Sequence, residues 1–336
     1  MKLEDTGTEL VVAAEGVELY RYMYRPDVPA FEGPKPYLHP IRTLQGDVVT
    51  SYRPHDHRWH KGLQMTATDV SGQNFWGGVT YVREDGYVAL PNVGTMRHEE
   101  FLSAEAHDVR ERLSWYTQAG ERWVDETRGL AVRDVTGDTW ALEFNTALTN
   151  VRGEPLIFGS PTTNGRPLAG YTGLFWRGPR AFTGGEVLAE GGRGGPEMMG
   201  ETSPWLAYVG QHDEVDRAAT LLFLGAPGTT WFVRNDPFAA VNPSLAFWDE
   251  VTLPPGQTWS LRYRVVVADG AWDRDRIESY AKDHPLATGS GRPSSRPNYL
   301  RDALIMGRGG ARRSAAGGRP RPSGRRRRGG RARARR

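Results

Sequence analysis

The segment Trp259-Ser-Leu261-Arg-Tyr263-Arg-Val265-Val-Val267 places large apolar side chains at every second position, against the polar residues Ser260, Arg262 and Arg264. This period of two is typical of a β-strand that buries one face and exposes the other. The segment Trp140-Ala-Leu-Glu143-Phe-Asn145 repeats the pattern and places Glu143 and Asn145 together on the polar face. Both segments therefore predict amphipathic strands of an antiparallel sheet.

Turn-forming residues separate such segments throughout the first 270 residues. They are Glu15-Gly16, Asp85-Gly86, Asn92 to Gly94, Gly137-Asp138, Pro254-Pro-Gly256 and Asp269-Gly270. One stretch is helical in character: it runs from Asp273 to about His284, and Pro285 ends it. The sequence therefore predicts an all-β fold, a large antiparallel β-sandwich of about fifteen strands with one short C-terminal helix. No phosphate-binding glycine motif follows a strand, which disfavours nucleotide-cofactor folds.

Charge divides the chain into two parts. Its net charge is +3, but residues 287–336 hold sixteen arginines and one acidic residue, so the first 286 residues carry a net charge of −12. We expect a single β-sandwich domain over residues 1–286 and a disordered Arg/Gly/Pro-rich tail over residues 287–336. The tail is either an arm for nucleic acid or another anionic surface, or an accidental extension. Since no aromatic residue follows Gly317, we expect no nucleic-acid partner except through this tail.

Composition also limits the partners. The chain contains no cysteine, so any metal must be held by histidine and carboxylate side chains. It has no apolar run of about 18 residues and no apolar signal segment near Met1. We therefore expect a soluble, cytoplasmic protein without a membrane partner.

Three of the eight histidines fall within six residues, in Ser51-Tyr-Arg-Pro-His55-Asp-His57-Arg-Trp-His60-Lys61-Gly62. If residues 48–53 form a strand that runs on through Pro54, then His55 and His57 point to the same side. His60 would join them from a turn. The pattern therefore predicts that the three imidazoles gather in one place.

Three interpretations of this cluster stay open. His55, His57 and His60 could together hold one divalent metal such as zinc, iron or nickel, leaving positions for water or substrate. Without a metal, one of them could act as a general acid or base, tuned by neighbouring charges such as that of Lys61. The segment could also be a structural polar turn.

Tryptophans near arginines or amides form a second pattern. Carbohydrates present apolar C–H faces and rings of hydroxyls, which suit aromatic platforms and planar polar side chains. We expect the substrate-binding residues to be Asn74, Trp76, Trp176, Arg177 and Arg234. Tryptophans of a β-rich protein are also common core residues, so both roles stay open.

Several motifs together carry a resemblance. Tyr37-Leu-His39-Pro, the histidine segment, Asn74-Phe-Trp76-Gly and Gly170-Tyr-Thr-Gly-Leu-Phe-Trp-Arg177-Gly-Pro resemble the bacterial family labelled "methane oxygenase PmoA", over roughly residues 15 to 270. This resemblance implies a β-sandwich protein that is often encoded near sugar-catabolism genes.

A weaker resemblance concerns the end of the sandwich. The pattern Leu253-Pro-Pro-Gly256-Gln-Thr-Trp-Ser-Leu-Arg262-Tyr-Arg264 is similar to the last strands of galactose-mutarotase-like super-sandwiches. In that group a histidine acid and a glutamate base act on the sugar anomeric centre. The resemblance makes Glu143 the candidate base, provided that its face lines the same cleft as the histidines.

Together these observations predict a carbohydrate-directed enzyme of hydrolase, lyase or epimerase type that acts on a small sugar or sugar derivative. The expected catalytic residues are His55, His57, His60, Lys61 and Glu143. Lys61 and Arg177 would stabilise negative charge. The alternatives are a histidine-ligated, metal-dependent oxygenase or oxidoreductase, and a non-catalytic sugar-binding module.

Overall fold

Strand pairing follows the alternation that the sequence predicts. In this computed structural model, which describes residues 1–286, Thr258–Asp269 pairs antiparallel with Thr139–Asn150. Tyr263 lies opposite Phe144, and both side chains are buried. Cross-strand pairs of this kind stabilise a sheet through contacts on its buried face. Residues at the intervening positions, Glu143 among them, therefore point away from the core.

Most of the described chain is strand. The strands within residues 1–286 are β1 (Lys2–Asp5), β2 (Glu9–Ala14), β3 (Val17–Met23), β4 (Tyr37–Ile41), β5 (Leu63–Thr66), β6 (Asp69–Val70), β7 (Thr80–Val82), β8 (Gly86–Val88), β9 (Thr95–Glu105), β10 (Asp108–Tyr116), β11 (Arg122–Arg133), β12 (Thr139–Asn150), β13 (Leu156–Gly159), β14 (Gly173–Arg177), β15 (Glu186–Ala189), β16 (Trp205–Gln211), β17 (Ala218–Leu224), β18 (Thr230–Arg234), β19 (Ala240–Ser244), β20 (Val251–Leu253) and β21 (Thr258–Asp269). Short 3-10 turns lie at Ala30–Glu32, Arg180–Phe182 and Pro196–Met198, and the helix α1 is Arg274–Asp283. The predicted all-β fold is confirmed, whereas the predicted basic tail, residues 287–336, lies outside the described residues.

Two eight-stranded antiparallel sheets carry the architecture of the described residues. The first sheet has the order β1-β2-β3-β4-β5-β14-β19-β18, and the second sheet has the order β15-β16-β17-β21-β12-β11-β10-β9. A three-stranded sheet, β20-β13-β6, and the hairpin β7-β8 complete the set of sheets in residues 1–286. Apolar side chains of the two large sheets face each other, which makes the fold a β-sandwich.

Aromatic contacts show which face of each sheet is internal. Trp140 of β12 stacks on Tyr20 of β3, with ring centroids 6.1 Å apart. Trp176 of β14 lies 5.6 Å from Phe223 of β17, again joining the first sheet to the second. Because neighbouring side chains of a strand point to opposite faces, Arg177 lies on the outer face of the first sheet.

Polar side chains also lie between the sheets. Arg128 donates from Nε and Nη2 to the two carboxylate oxygens of Glu126, at 2.8 and 3.0 Å, and from Nη1 to the Tyr22 hydroxyl at 3.0 Å. The Tyr22 hydroxyl donates to Glu111, whose other carboxylate oxygen is 2.6 Å from His98 Nδ1. We call these five residues the buried ion network. Each charged group in it has a partner, as burial requires.

The helix α1 covers part of the outer face of the second sheet. Asp273 is its N-cap, and its Oδ1 accepts a hydrogen bond from the Arg276 N–H at 2.9 Å. Ile277 is fully buried in an apolar cluster that includes Trp272. The helix predicted from Asp273 to about His284 is thereby confirmed. No helix in the described part of the chain is long and apolar enough to span a membrane.

Candidate functional site

The histidine segment forms a loop between β4 and β5. Two successive turns build it, because the His57 N–H donates to the Pro54 carbonyl and the His60 N–H donates to the His57 carbonyl, each at 2.9 Å. The Arg53 N–H donates to the His60 carbonyl at 2.9 Å and closes the loop. The imidazoles of His57 and His60 are thereby placed with ring centroids 4.8 Å apart.

His55 does not join the other two histidines. Arg53 has a φ of 46°, so the chain turns there and does not continue as a strand through Pro54. His55 is exposed, and its Nδ1 lies 2.9 Å from Arg180 Nη2. The expected convergence of three imidazoles is therefore not formed. Within residues 1–286 no group of three or more histidine or carboxylate side chains is arranged to hold a metal ion.

His60 is held by Arg177. The residue Arg177 is only 4% exposed, and its Nη1 lies 3.2 Å from His60 Nδ1. A guanidinium can only donate, so Nδ1 of His60 accepts and the imidazole proton resides on Nε2. Burial, followed by the neighbouring charge of Arg177, holds the pKa of His60 well below 6.5. His60 is therefore a neutral hydrogen-bond donor at physiological pH.

Arg177 is a buried cation without a carboxylate partner. Among the described residues no carboxylate lies within ion-pair distance of it, and its buried Nε has no hydrogen-bond partner. Burial lowers its pKa to about 10, so the guanidinium stays charged near neutral pH. The Phe238 ring covers it, with the centroid 3.6 Å from Cζ. The charge of Asp56 acts on Arg177 from beyond ion-pair distance and offsets the effect of burial only in part, so a ligand oxygen would supply the direct partner that a buried charge needs.

Aromatic rings surround His60. Its ring centroid lies 5.4 Å from that of Trp76, 4.7 Å from Phe175 and 6.1 Å from both Phe238 and Trp59. Trp76 and Phe175 are buried, whereas Trp59 and Phe238 are partly exposed. A ligand approaching His60 would therefore meet Trp59 and Phe238 first.

Asn74 supports this wall instead of facing a ligand. Its Oδ1 accepts hydrogen bonds from the backbone N–H groups of Trp76 and Gly77, at 2.8 and 2.9 Å. Its Nδ2 donates to the Thr80 hydroxyl at 3.1 Å. These bonds fix the turn that carries Trp76, a structural role that the sequence pattern did not separate from substrate binding.

Lys61 forms an ion pair with a residue of an earlier loop, Glu32. Its Nζ lies 3.0 Å from Glu32 Oε2, and both side chains are buried. The same carboxylate accepts two hydrogen bonds from Arg53, at 3.0 and 2.5 Å. Lys61 thus shares the single negative charge of Glu32 with Arg53, and this buried ion pair holds its ammonium group in place. The role expected of Lys61, stabilising negative charge on a substrate, does not fit an ammonium group held in this way.

Two other predicted residues lie elsewhere. Trp176 is fully buried between the sheets, where its Nε1 donates to the Val49 carbonyl at 2.9 Å. Glu143 lies on the outer face of the second sheet and accepts a hydrogen bond from Arg264 at 2.6 Å. That face is on the opposite side of the sandwich from Arg177. Glu143 therefore does not share a cleft with the histidines.

Arg234 does belong to the same face as Arg177. In the first sheet Arg177 is paired with Ala240, and Ala240 is paired with Arg234, so the three residues form one row across β14, β19 and β18. The outer face of the first sheet therefore carries both arginines, but at different places: Arg177 contacts His60, whereas Arg234 lies over Phe232 of β18.

Three residues of this site were not singled out from the sequence: Phe175, Phe238 and Trp59. Phe175 lies two positions before Arg177 in β14 and faces the same side. Strand alternation could have identified it once Arg177 was chosen. Trp59 lies within the histidine segment and follows Arg58, so the tryptophan-near-arginine pattern could have identified it. No local signal marks Phe238, which reaches the site from a loop.

Lowering the pH below about 6.5 should destabilise the folded protein through His60. The folded-state pKa of His60 is well below 6.5, so the unfolded chain binds a proton that the folded chain does not. Stability therefore falls as the pH falls from about 6.5, by up to about 1.4 kcal/mol per pH unit for this group. Urea unfolding between about pH 7 and about pH 5 measures this slope. Burial also lowers the pKa values of His39 and His212, which add to the same slope, so His60→Gln should reduce the slope without abolishing it. The exposed control His107→Gln should leave the slope unchanged.

Gly62→Ala should destabilise the loop that carries the histidines. Gly62 has a φ of 55°, and a Cβ there would overlap the carbonyl oxygen of Leu38. We expect the free energy of unfolding to fall by at least about 1–3 kcal/mol from backbone strain. Gly16→Ala is the matched control, since Gly16 has a φ of 84° but no heavy atom within 4 Å of the added Cβ. Equal losses in urea unfolding would mean that the overlap with Leu38 has no effect.

These features define a class: an antiparallel β-sandwich with an imidazole and guanidinium site on the outer face of one sheet. The chain belongs to a family of unknown function (DUF6807), whose model matches residues 9–282. That model carries no methane oxygenase label. No curated protein matches the chain.

Solved structures show distant likeness. A GH36 alpha-galactosidase from Geobacillus stearothermophilus matches 80% of this chain and 41% of its own, with 12% identity and a TM-score of 0.41. An alpha-galactosidase from Lactobacillus brevis matches 80% of this chain and 39% of its own, with 9% identity and a TM-score of 0.37. A GalM/aldose epimerase homologue from C. elegans matches 78% of this chain and 98% of its own, with 9% identity and a TM-score of 0.32. The chain thus spans less than half of either alpha-galactosidase, and likeness at this level assigns no function.

Proposed function

We propose that the protein is an enzyme that acts on a sugar or sugar derivative at the outer face of the first sheet. The observation that carries this proposal is the contact between neutral His60 and buried Arg177, which has no carboxylate at ion-pair distance among the described residues, with His57 beside them. Aromatic rings suit the C–H faces of a sugar, while guanidinium and imidazole N–H groups suit its oxygens. Trp59 and Phe238, the partly exposed rings, supply the stacking surface.

His57 is the proton carrier in this proposal. Its side chain is 35% exposed, and its Nδ1 lies 3.1 Å from Asp56 Oδ2, although not in line for a hydrogen bond. Nε2 of His57 takes a proton from a hydroxyl or carbon acid of the substrate, and the Asp56 carboxylate stabilises the resulting imidazolium. His57 then returns the proton to another atom of the substrate, which completes an isomerisation such as opening of the sugar ring, or to a leaving group, which completes an elimination.

His60 and Arg177 stabilise the charge that this proton transfer creates. Removing a proton leaves negative charge on a substrate oxygen. The Nε2–H of His60 donates to that oxygen, and the buried guanidinium of Arg177 supplies the opposite charge where water does not screen it. Neutral His60 is suited to this role because Arg177 keeps its proton on Nε2.

The test is an NMR screen of the purified protein against a panel of aldoses, uronates, aldonates and sugar phosphates. Anomer interconversion, deuterium uptake from D₂O and bond cleavage report the three forms of proton-transfer chemistry. Turnover of at least one sugar is expected. Binding without turnover would indicate a sugar-binding module. About one bound iron or copper per chain together with oxygen consumption would indicate an oxygenase, and either result would overturn the proposal.

A further inference from the structure

A second group of polar side chains lies on the far side of Trp76 from His60. The Trp76 ring centroid is 5.4 Å from that of His60 and 4.7 Å from that of Tyr171. Tyr171 in turn packs against Phe232 of β18 at 5.4 Å. Phe232 lies two positions before Arg234, on the same outer face. A single indole ring therefore separates this group from the imidazole of the proposed active site.

Two arginines bring positive charge to this place. Arg166 lies over the Tyr87 ring, with Cζ 4.9 Å from the centroid, and its Nη1 donates to the Tyr87 hydroxyl. Arg234 lies over Phe232 at 5.4 Å, and burial together with the nearby charge of Arg166 lowers its pKa. Within residues 1–286 neither guanidinium has a carboxylate at ion-pair distance. Like charges held together in this way favour the binding of an anion.

The two tyrosines leave one donor without an acceptor. The hydroxyls of Tyr87 and Tyr171 are 2.6 Å apart, so one of them donates to the other. Arg166 donates into the same pair and accepts nothing. The pair has two hydroxyl protons and uses only one internally. No acceptor for the second proton is found among the described residues, so it is available to a ligand.

We propose that Arg166, Arg234, Tyr87 and Tyr171 form an anion subsite that holds a carboxylate or phosphate group of the substrate. All four side chains present donors here, and arginine matches the paired oxygens of both anions. Tyr87 is 42% exposed, so the subsite opens to solvent. This inference rests on the proposed function in that it makes the substrate a sugar acid or sugar phosphate, bound with its charged group beside Trp76 and its reacting atoms at His57.

Anion binding can be tested without any sugar. Inorganic phosphate and acetate are titrated into the full chain at low ionic strength, and binding is followed by calorimetry and by the NMR signals of the arginine side chains. We expect at least one of the two anions to bind and to shift the Arg166 and Arg234 signals. Arg166→Met and Arg234→Met should each weaken that binding about tenfold or more. Arg58→Met, at an exposed arginine of the histidine segment, is the control and should not change it.

The two anions distinguish the two sources of charge, since acetate stands for a sugar acid and phosphate for a sugar phosphate. Absence of binding by both, or binding that survives both arginine substitutions, would overturn the subsite. Failure of the proposed function gives a different result: the anion still binds through Arg166 and Arg234, but no sugar acid or sugar phosphate is turned over. If no anion binds but a neutral sugar is still turned over, the anion subsite is wrong and the proposed function is supported.

Discussion

Replacing His57 with alanine should lower the turnover of the sugar substrate by a factor of about 10²–10⁴, the contribution of a positioned general acid or base. The loss should appear mainly in kcat, because Trp59, Phe238 and Arg177 still bind the substrate. The fold should be little affected, since the His57 side chain is 35% exposed and its Nδ1 makes no hydrogen bond. Steady-state kinetics on the substrate found in the NMR screen measure the change.

His55→Ala is the matched control for this prediction. His55 belongs to the same loop, but it is exposed and contacts Arg180 instead of His60. Its removal should leave kcat within about a factor of two. Equal losses in the two variants would point to a general disturbance of the loop, and an unchanged kcat in His57→Ala would remove His57 from the mechanism.

Replacing Arg128 with methionine should lower the free energy of unfolding by about 3–5 kcal/mol, because it leaves an uncompensated buried carboxylate. Arg128 donates two hydrogen bonds to Glu126 and one to the Tyr22 hydroxyl, and all three side chains are almost fully buried. Methionine fills a similar volume, so the loss reports on charge and hydrogen bonding more than on packing. Urea unfolding at neutral pH measures it.

Two further variants interpret this result. The double substitution Glu126→Gln with Arg128→Met removes both charges and should recover part of the loss, since no buried ion is left unpaired. Arg276→Met removes the exposed partner of Asp138 and should cost no more than about 1 kcal/mol. An Arg128→Met variant as stable as Arg276→Met would show that the buried ion network does not support the fold.

The parts of the fold that could be predicted have local signals. Strands β12 and β21 are twelve residues long and alternate over a part of that length, and Asp273 and Pro285 mark the ends of the helix. Strand number was underestimated, at about fifteen against twenty-one within residues 1–286. Elements as short as Asp69–Val70 are too brief to show a period, and only their partners in a sheet define them.

The roles of residues in the candidate site could be predicted only in part from local sequence patterns. Trp176 and Arg177 were both expected to bind substrate, yet neighbours in a strand must face opposite sides. The alternation of side chains along a strand therefore already excludes that Trp176 and Arg177 both face the same substrate. Which of the two faces the interior depends on the second sheet, because the contact with Phe223 of β17 decides it. That contact joins residues far apart in the sequence.

Long-range partners also explain why other predicted site residues have different roles from those expected. Lys61 forms an ion pair with Glu32, and His55 contacts Arg180, which lies more than a hundred residues away in the sequence. Glu143 lies on the second sheet, whose position relative to the histidines no local pattern encodes. Some residues of the motifs do have unusual surroundings, such as the buried contact between Arg177 and His60. Their roles depended on pairings that only the folded chain brings about.

The strand β14 has a consequence for how this protein could be altered. On one side Trp176 is locked among Phe182, Tyr208 and Phe223, and on the other Arg177 holds His60. Shifting the backbone at Arg177 would move Trp176 within a close-packed interior, which tolerates little displacement. Under the proposed function, substrate preference is therefore best altered at Trp59 and Phe238, which are partly exposed and lie outside this strand.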